Sequence, residues 1–260
     1  MNNNAWFKKE NPFQTVIGYG GGATGFGAHS SAASKPYVDD VFSSYVYIGD
    51  GTNSHQIVNG IDLSSKGGFI WGKERGNSGS HYQFDTVRGL NKRLKSNSDA
   101  AEETDTFYSS VNSDGYTIEK TTSVNISGNE YVSWTFAKQK GFFDIVTYTG
   151  NGSDRTIAHS LGSVPGMILV KQTSSSNEWA VYHKSLDTDQ YLMLDQTSAA
   201  LTSGGDYWND TTATATHFSV GAVPSAGTGA HRVNTDGETY VAYLFAGGTT
   251  DATDKAVSFN

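Results

Sequence analysis

Apolar and polar residues alternate over short segments of the chain, and this pattern predicts β-strands. In the segment Tyr131–Ala137, Tyr131, Ser133 and Thr135 fall on one face of an extended chain, and Val132, Trp134 and Phe136 fall on the other. Other apolar residues come in short runs, and no window holds the 3.6-residue period of an amphipathic helix. The pattern therefore predicts an all-β protein.

The same order of elements occurs twice along the chain: an aromatic strand, a Gly-x-Gly turn, a corner of small residues, and an apolar strand that ends in lysine. Three matched pairs are each separated by 98 positions: Lys73 and Lys171, Phe84 and Tyr182, Leu94 and Leu192. At the ends of the copies, Gly128-x-x-Tyr-Val-x-Trp-x-Phe-Ala137 matches Gly237-x-x-Tyr-Val-x-Tyr-x-Phe-Ala246 at a separation of 109 positions. The larger separation indicates an insertion in the second copy, near Gly221–Arg232.

The repeat divides the chain into four parts. We predict a glycine-rich N-terminal arm (1–40), a first β repeat (41–140), a second β repeat (141–247) and a C-terminal tail (248–260). The fold class is all-β, with two related antiparallel β-sandwich-like halves. The halves could be two stacked sandwiches or could interleave into one larger sandwich. The link Lys138–Phe143 is so short that the halves must pack against each other.

Eleven strands are predicted. In the first copy they are Ser44–Ile48, Phe69–Trp71, His81–Asp85, Gly115–Ile118 and Tyr131–Ala137. In the second copy they are Ile145–Tyr148, Met167–Lys171, Trp179–His183, Tyr191–Asp195, His217–Val220 and Thr239–Ala246. The polar segment Asn91–Glu103 is predicted to be a loop or a short helix, because Ser98 and Glu103 border a sequence like a helix cap.

Composition and charge narrow the function. The chain has 30 Gly, 14 Tyr, 13 Phe and a formal net charge of −8, and its only basic cluster is Lys92, Arg93 and Lys95, so we expect no nucleic-acid partner. It has no cysteine, which fits assembly in a reducing cytoplasm. No signal peptide is evident and no apolar run approaches the roughly 20 residues of a membrane span. We expect no membrane insertion.

The N-terminal arm contains the glycine-rich run Gly18–Gly27. One hypothesis is a flexible leader. The other is an arm that orders against a neighbouring subunit or particle, with Trp6, Phe7, Phe13 and Phe26 as its anchors. A phosphate-binding loop is rejected because no Gly-Lys-Ser/Thr follows.

The polar residues form no recognisable catalytic motif. None of the seven histidines has a metal-binding spacing, and His159 and His183 are expected to form hydrogen bonds at corners of the repeat. The Asn112–Gly115 and Asn234–Gly237 tetrads could bind calcium, but Asx turns are the more common explanation. There is no Gly-x-Ser-x-Gly elbow and no evident carboxylate pair. We predict no enzyme activity, no cofactor and no metal.

Aromatic residues beside polar turn residues are the candidate contact groups. Tyr207 and Trp208 lie between Gly205 and Asn209, and Tyr108 follows a polar segment. Such residues suit sugar stacking, and they suit a subunit interface equally well. For Trp208, packing or a subunit contact is favoured over sugar stacking.

The sequence of motifs resembles a domain family of tailed bacteriophages, many of them marine. The resemblance covers residues 45–246 and rests on these segments: Phe143–Gly152, His159–Gly162, Pro165–Lys171, Trp179–His183, Trp208–Asp210, Gly237–Ala246 and, in the first copy, Phe84–Gly89, Ser113–Thr117 and Tyr131–Phe136. It implies a virion structural protein of the fibre, tail or capsid-decorating type, made in the host cytoplasm. No catalytic residue is carried over.

The leading hypothesis is therefore a virion protein that acts through contacts with its own copies, most simply as a homotrimer, and with other virion proteins. The alternative is a receptor-binding adhesin that recognises a host surface glycan through Trp208, Tyr207 and Tyr108. The N-terminal arm would dock the protein on the particle.

Overall fold

The structure is a computed structural model that describes residues 37–203, 205–222 and 233–248. The described chain is nearly all β, as predicted, and its sheets are antiparallel. A short 3-10 turn (Val38–Asp40) precedes the first strand, and one four-residue helix, α1 (Leu63–Lys66), lies between strands. Residues 1–36 of the N-terminal arm, the C-terminal tail beyond residue 248 and most of the expected insertion lie outside the described residues.

The first half contains nine strands. They are β1 (Phe42–Ile48), β2 (His55–Val58), β3 (Gly68–Glu74), β4 (Tyr82–Asp85), β5 (Gly89–Lys95), β6 (Glu103–Thr104), β7 (Tyr108–Asn112), β8 (Gly115–Ile118) and β9 (Glu130–Ala137). Six of them form a large sheet in the order β1-β9-β3-β4-β5-β6, and three form a small sheet in the order β2-β8-β7.

The described residues of the second half contain eight strands. They are β10 (Phe143–Thr149), β11 (Arg155–Ala158), β12 (Pro165–Gln172), β13 (Ala180–His183), β14 (Gln190–Met193), β15 (Leu201–Thr202), β16 (His217–Val220) and β17 (Thr239–Ala246). Its large sheet has the order β10-β17-β12-β13-β14-β15, which repeats the first large sheet strand for strand. Strands β11 and β16 form its small sheet.

Three hydrophobic cores hold the sheets together. One core lies between the large and small sheets of the first half, and another occupies the same place in the second half. The third joins the two large sheets and includes Phe69 of the first half and Tyr243 of the second, whose ring centroids are 4.4 Å apart. Of the two predicted arrangements, the structure is that of two stacked sandwich-like halves.

A buried asparagine fixes the turn after the first strand of each half. Asn125 accepts a hydrogen bond from the backbone N–H of Asp50 (3.0 Å) and donates one to the carbonyl of Thr52 (2.8 Å). Asn234 accepts from the backbone N–H of Asn151 (3.1 Å) and donates to the carbonyl of Ser153 (2.7 Å). Each amide therefore holds a turn that is distant from it in the sequence.

The turn needs glycine because two backbone segments meet there. A Cβ on Gly49 would lie 2.2 Å from the carbonyl oxygen of Ile126, and a Cβ on Gly150 would lie 2.0 Å from that of Thr235. No other residue fits either position without moving the backbone. The glycines of the repeated turn therefore reflect packing.

The prediction of a loop or short helix at Asn91–Glu103 was wrong at both ends of that segment, which belong to strands. Residues up to Lys95 belong to β5, and Glu103 begins β6. Only Leu94 of β5 is buried, and the charged residues pair across strands, with Arg93 3.0 Å from Asp105 and Lys95 2.7 Å from Glu103. Charge pairing stabilises a strand that the hydrophobic pattern does not mark.

Candidate functional site

Tyr207 and Trp208 are buried, so they are not the exposed contact residues proposed from the sequence, and Trp208 packs in a core, one of the two roles favoured for it there. Both are 1% exposed and belong to the core of the second half. Tyr207 stacks on Tyr191 with ring centroids 3.8 Å apart, and Trp208 meets Tyr182 edge-on at 5.7 Å. They fill a core, so they cannot stack on a ligand at the surface.

The polar residues after Trp208 explain why the pair points inward. Asn209 and Asp210 both adopt positive φ angles, 50° and 44°, and the backbone N–H of Asn209 donates to the carbonyl of Gly205 at 2.8 Å. Asn and Asp tolerate this conformation better than other residues that carry a side chain. They form a tight turn that folds the aromatic pair into the core.

Tyr108 is also buried, at 3% exposure. Its ring lies 4.2 Å from that of Phe84 and 5.3 Å from that of Tyr116, in the core of the first half. Strand β7 carries it onto the inner face of the small sheet. The other predicted contact residues, Trp6, Phe7, Phe13 and Phe26, lie outside the described residues.

His159 occupies a structural corner, as the sequence suggested. Its Nδ1 accepts a hydrogen bond from the backbone N–H of Leu161 at 3.3 Å, and in the first half the side chain of Asn59 accepts from Ile61 in the same way at 3.2 Å. Burial lowers the pKa of His159. The imidazole therefore replaces an amide in a repeated turn.

A buried ionic cluster joins the halves. The Asp85 carboxylate accepts from Arg88 Nε at 2.6 Å and from the Tyr243 hydroxyl at 2.8 Å, and Arg88 also donates to Glu102 at 2.8 Å. Burial disfavours the charge on Arg88, but its oxygen-bearing neighbours raise its pKa. Every member of the cluster is used in contacts within the chain.

Lys171 is fully buried on the same face of β12 as Leu169, which belongs to the core between the halves. Its ammonium donates to the carbonyl of Gln172 at 2.7 Å. Burial lowers the pKa of Lys171 to about 8, and the carboxylates of Asp195, Asp99 and Glu178 oppose that shift. Because the side chain is closed off from solvent, it has no access to a substrate.

One part of the first large sheet is not covered by the second half. Val46 pairs with Val132 across β1 and β9, and Ser44 pairs with Trp134, so these side chains share a face with Ile48. Val46 is 53% exposed, Ile48 is 62% exposed, and Val132 and Trp134 are half-buried. We call the surface formed by Val46, Ile48, Val132 and Trp134 the open face.

A groove of about 300 Å³ lies where the halves meet. Its lining includes Trp71, His81 and Asn97 from the first half and Leu194, Asp195 and Thr197 from the second. Trp71 and His81 also line a neighbouring cavity of about 230 Å³ together with Trp134 and Phe136. We call the first of these cavities the seam groove. The sequence pattern did not indicate it, because its residues come from distant segments.

Two further findings concern metal ligands and membrane-spanning helices in the described part of the chain. Within residues 37–203, 205–222 and 233–248, no group of three or more His, Asp or Glu side chains is arranged to hold a metal ion. Neither helical segment in those ranges has the length and apolar character required to cross a bilayer.

Comparison with known proteins gives a family for this chain. No curated protein and no solved structure gives a significant match. Residues 38–250 match the family described as "Domain of unknown function (DUF7483)", and this match includes both halves. The chain is therefore a member of the DUF7483 domain family.

Proposed function

We propose that this chain is a structural component of a bacteriophage virion that acts through subunit contacts, and that its open face is a contact between copies. The resemblance to tailed-phage virion domains supports the first part of this proposal. The open face supports the second, because contiguous apolar side chains on an exposed sheet face are typical of interaction surfaces.

The repeat provides the observation that carries the proposal. Val46 and Ile48 of β1 correspond to Thr147 and Thr149 of β10, each pair 101 positions apart, and all four are exposed. Valine, isoleucine and threonine are all branched at Cβ and suit a strand equally well. The fold therefore accepts threonine at these positions. We infer that the apolar side chains of Val46 and Ile48 serve something other than folding.

The position of β1 favours a second copy of this chain as the occupant. Strand β1 is at the edge of its sheet, so one side of its backbone has no strand partner within the described residues. An edge strand can pair with the same strand of another copy, which extends the sheet while the adjoining apolar side chains meet. At the rim, Glu130 is neutralised by Arg75 at 3.0 Å, so like charges do not oppose the approach there.

The test is the solution mass of the full chain and of the double variant Val46→Thr, Ile48→Thr. We expect the wild type to have a multiple of the 27.9 kDa chain mass, and the double variant to be a monomer with unchanged thermal stability. Two copies would fit self-pairing of β1, and three would fit the trimer expected from the sequence. Val58→Thr is the control, because Val58 is 50% exposed on the small sheet. A monomeric wild type, or an oligomeric double variant, would refute the contact.

The virion role is tested on particles. Antibodies raised against the purified chain should label purified phage particles at repeated positions on the head or the tail in electron micrographs. A chain that is present in the lysate but absent from the particles would contradict the virion role and would leave the contact between copies to be judged by the mass measurement.

A further inference from the structure

We propose that the seam groove is a binding site for a neutral saccharide, with Trp71 as its stacking platform. This inference goes beyond the structural role and does not rest on it. It also differs from the adhesin hypothesis in its residues, because Tyr207, Trp208 and Tyr108 are buried.

The aromatic wall of the groove is held rigidly. The Trp71 indole Nε1 donates to Nδ1 of His81 at 3.1 Å, and the Trp71 ring lies edge-on to Trp134 with centroids 6.1 Å apart. Because the indole nitrogen is already bonded, Trp71 offers a ligand its apolar face rather than a donor. The C–H face of a pyranose ring is a suitable partner for such a surface.

Polar groups at the rim are also fixed in position. The side chain of Asn97 accepts from the backbone N–H of His81 at 3.1 Å, and Asp195, its equivalent 98 positions later, accepts from that of Trp179 at 3.0 Å. The bond to Asn97 uses the amide oxygen and leaves Nδ2 available to donate to a ligand.

His81 adds a second donor. Its Nδ1 accepts from Trp71, so the ring proton is on Nε2. Burial and the nearby charge of Lys73 lower the pKa of His81, which favours the neutral ring. Gln196 and Thr197, both exposed, add an amide and a hydroxyl.

The lining selects a neutral, hydroxyl-rich ligand. It contains no Lys or Arg, and its one ionisable acid is Asp195, so a phosphate or another anion would find no Lys or Arg side chain to pair with in the lining. Glycoside hydrolysis uses two carboxylates about 5–9.5 Å apart, and this lining supplies one. A volume of about 300 Å³ lies within the usual range for ligand pockets. The groove therefore has the features of a binding site rather than a hydrolytic one.

The repeat shows that the groove is not a requirement of the fold. Trp71 and His81 correspond to Leu169 and Trp179 in the second half, both of which are buried between the halves. Among the described residues, an indole and an imidazole bonded to each other at the surface occur only in the first half. The difference between the halves at this position indicates a role in binding.

The test uses the full chain on a printed array of neutral hexose and N-acetylhexosamine oligosaccharides with sialylated and sulfated counterparts, followed by calorimetry with the best neutral compound. We expect neutral saccharides to bind and the anionic counterparts to bind more weakly. Trp71→Ala and Asn97→Asp should each lower the affinity at least about tenfold, the equivalent of about 1.4 kcal/mol.

A residue that one half carries at an equivalent position can be introduced into the other half as a variant that should keep the fold. Asn97→Asp introduces the residue that the second half carries at the equivalent position, and it retains the acceptor for His81. Asn151→Asp is the control, because Asn151 is exposed and its first-half equivalent is Asp50. The saccharide affinity of Asn151→Asp should match that of the wild type. If no saccharide binds the full chain, or if both Trp71→Ala and Asn97→Asp bind as the wild type does, the proposal is wrong.

The two proposals can fail separately. The double variant Val46→Thr, Ile48→Thr leaves every residue of the groove in place, so it should bind the saccharide whatever its mass. Loss of oligomers without loss of saccharide binding would support both proposals. A result that contradicts one proposal leaves the other unaffected.

Discussion

The Tyr47 ring stacks on the Tyr131 ring with centroids 5.1 Å apart and planes at 14°. In the second half, Tyr148 and Tyr240 have the same separation and the same angle. The hydroxyl of Tyr47 donates to the carbonyl of Val124 at 3.0 Å, and that of Tyr148 donates to the carbonyl of Val233 at 2.6 Å. In both halves, these contacts hold the first strand against the segment that precedes the last strand.

Removing either hydroxyl should therefore have the same effect in both halves. Tyr47→Phe and Tyr148→Phe each leave a backbone carbonyl without its donor, and we expect each to lower the free energy of unfolding by about 1–3 kcal/mol. Urea denaturation of the two variants measures this loss. Tyr45→Phe, on the same strand as Tyr47 and half-buried, is the control and should change stability little. A loss in only one half would contradict the equivalence.

Asn234 should matter more than its size suggests. Its side chain is fully buried and joins Asn151, Ser153 and, at 2.9 Å, the carbonyl of Gly221. We expect Asn234→Ala to cost about 2–4 kcal/mol of unfolding free energy, since buried partners lose their hydrogen bonds. Denaturation by urea gives the value. Asn151→Ala, which removes an exposed side chain of the same type, should cost far less.

The cluster between the halves predicts a strong effect for Arg88→Met. This change leaves the Asp85 carboxylate fully buried without its ionic partner, so we expect a loss of about 3–5 kcal/mol. Arg75→Met is the matched control. Arg75 and Glu130 are 48% and 58% exposed, and an exposed pair contributes about 0–1 kcal/mol. Equal effects of the two variants in thermal or urea unfolding would contradict the assigned role of the cluster.

The lowered pKa of Lys171 predicts that the stability of the folded chain rises with pH. Its pKa is about 8 in the folded chain and 10.5 in the reference state, so between these values the unfolded chain binds more protons than the folded one. Unfolding free energy then increases as pH rises through this range, by up to about 3 kcal/mol.

The measurement compares wild type and Lys171→Met by urea denaturation at several values between pH 7 and pH 10.5. Buried tyrosines contribute the opposite trend at the upper end, and they contribute it to both proteins. The wild type should therefore gain stability relative to the variant as pH rises. Two parallel curves would show that burial does not shift the pKa of Lys171 as described.

Much of the fold follows from the sequence because the repeat marks it. Strands Gly115–Ile118, His217–Val220 and Thr239–Ala246 have the bounds that the pattern predicted. They could be predicted because β-branched and aromatic residues fill them and glycine or polar turns border them. Strand β5 could not, since it is rich in charged residues whose ion-pair partners follow them by eight or more positions.

The candidate site was harder to predict, and the reason is physical. The polar neighbours of Tyr207 and Trp208 suggested a loop tip, but the positive φ angles of Asn209 and Asp210 turn that segment inward. The seam groove combines residues near positions 71–97 with residues near 194–197, which only the stacking of the halves brings together. The repeat still carried a usable signal, because Trp71 and His81 differ in kind from Leu169 and Trp179.

The core between the two large sheets determines the smallest piece of this protein that can stand alone. Phe69, Phe143 and Tyr243 fill it from both sides of the chain's midpoint. A polypeptide that stopped at Lys138 would present that entire sheet surface to water, and aggregation would compete with its folding. We therefore expect neither half to be stable without the other, because each covers an apolar sheet surface of its neighbour.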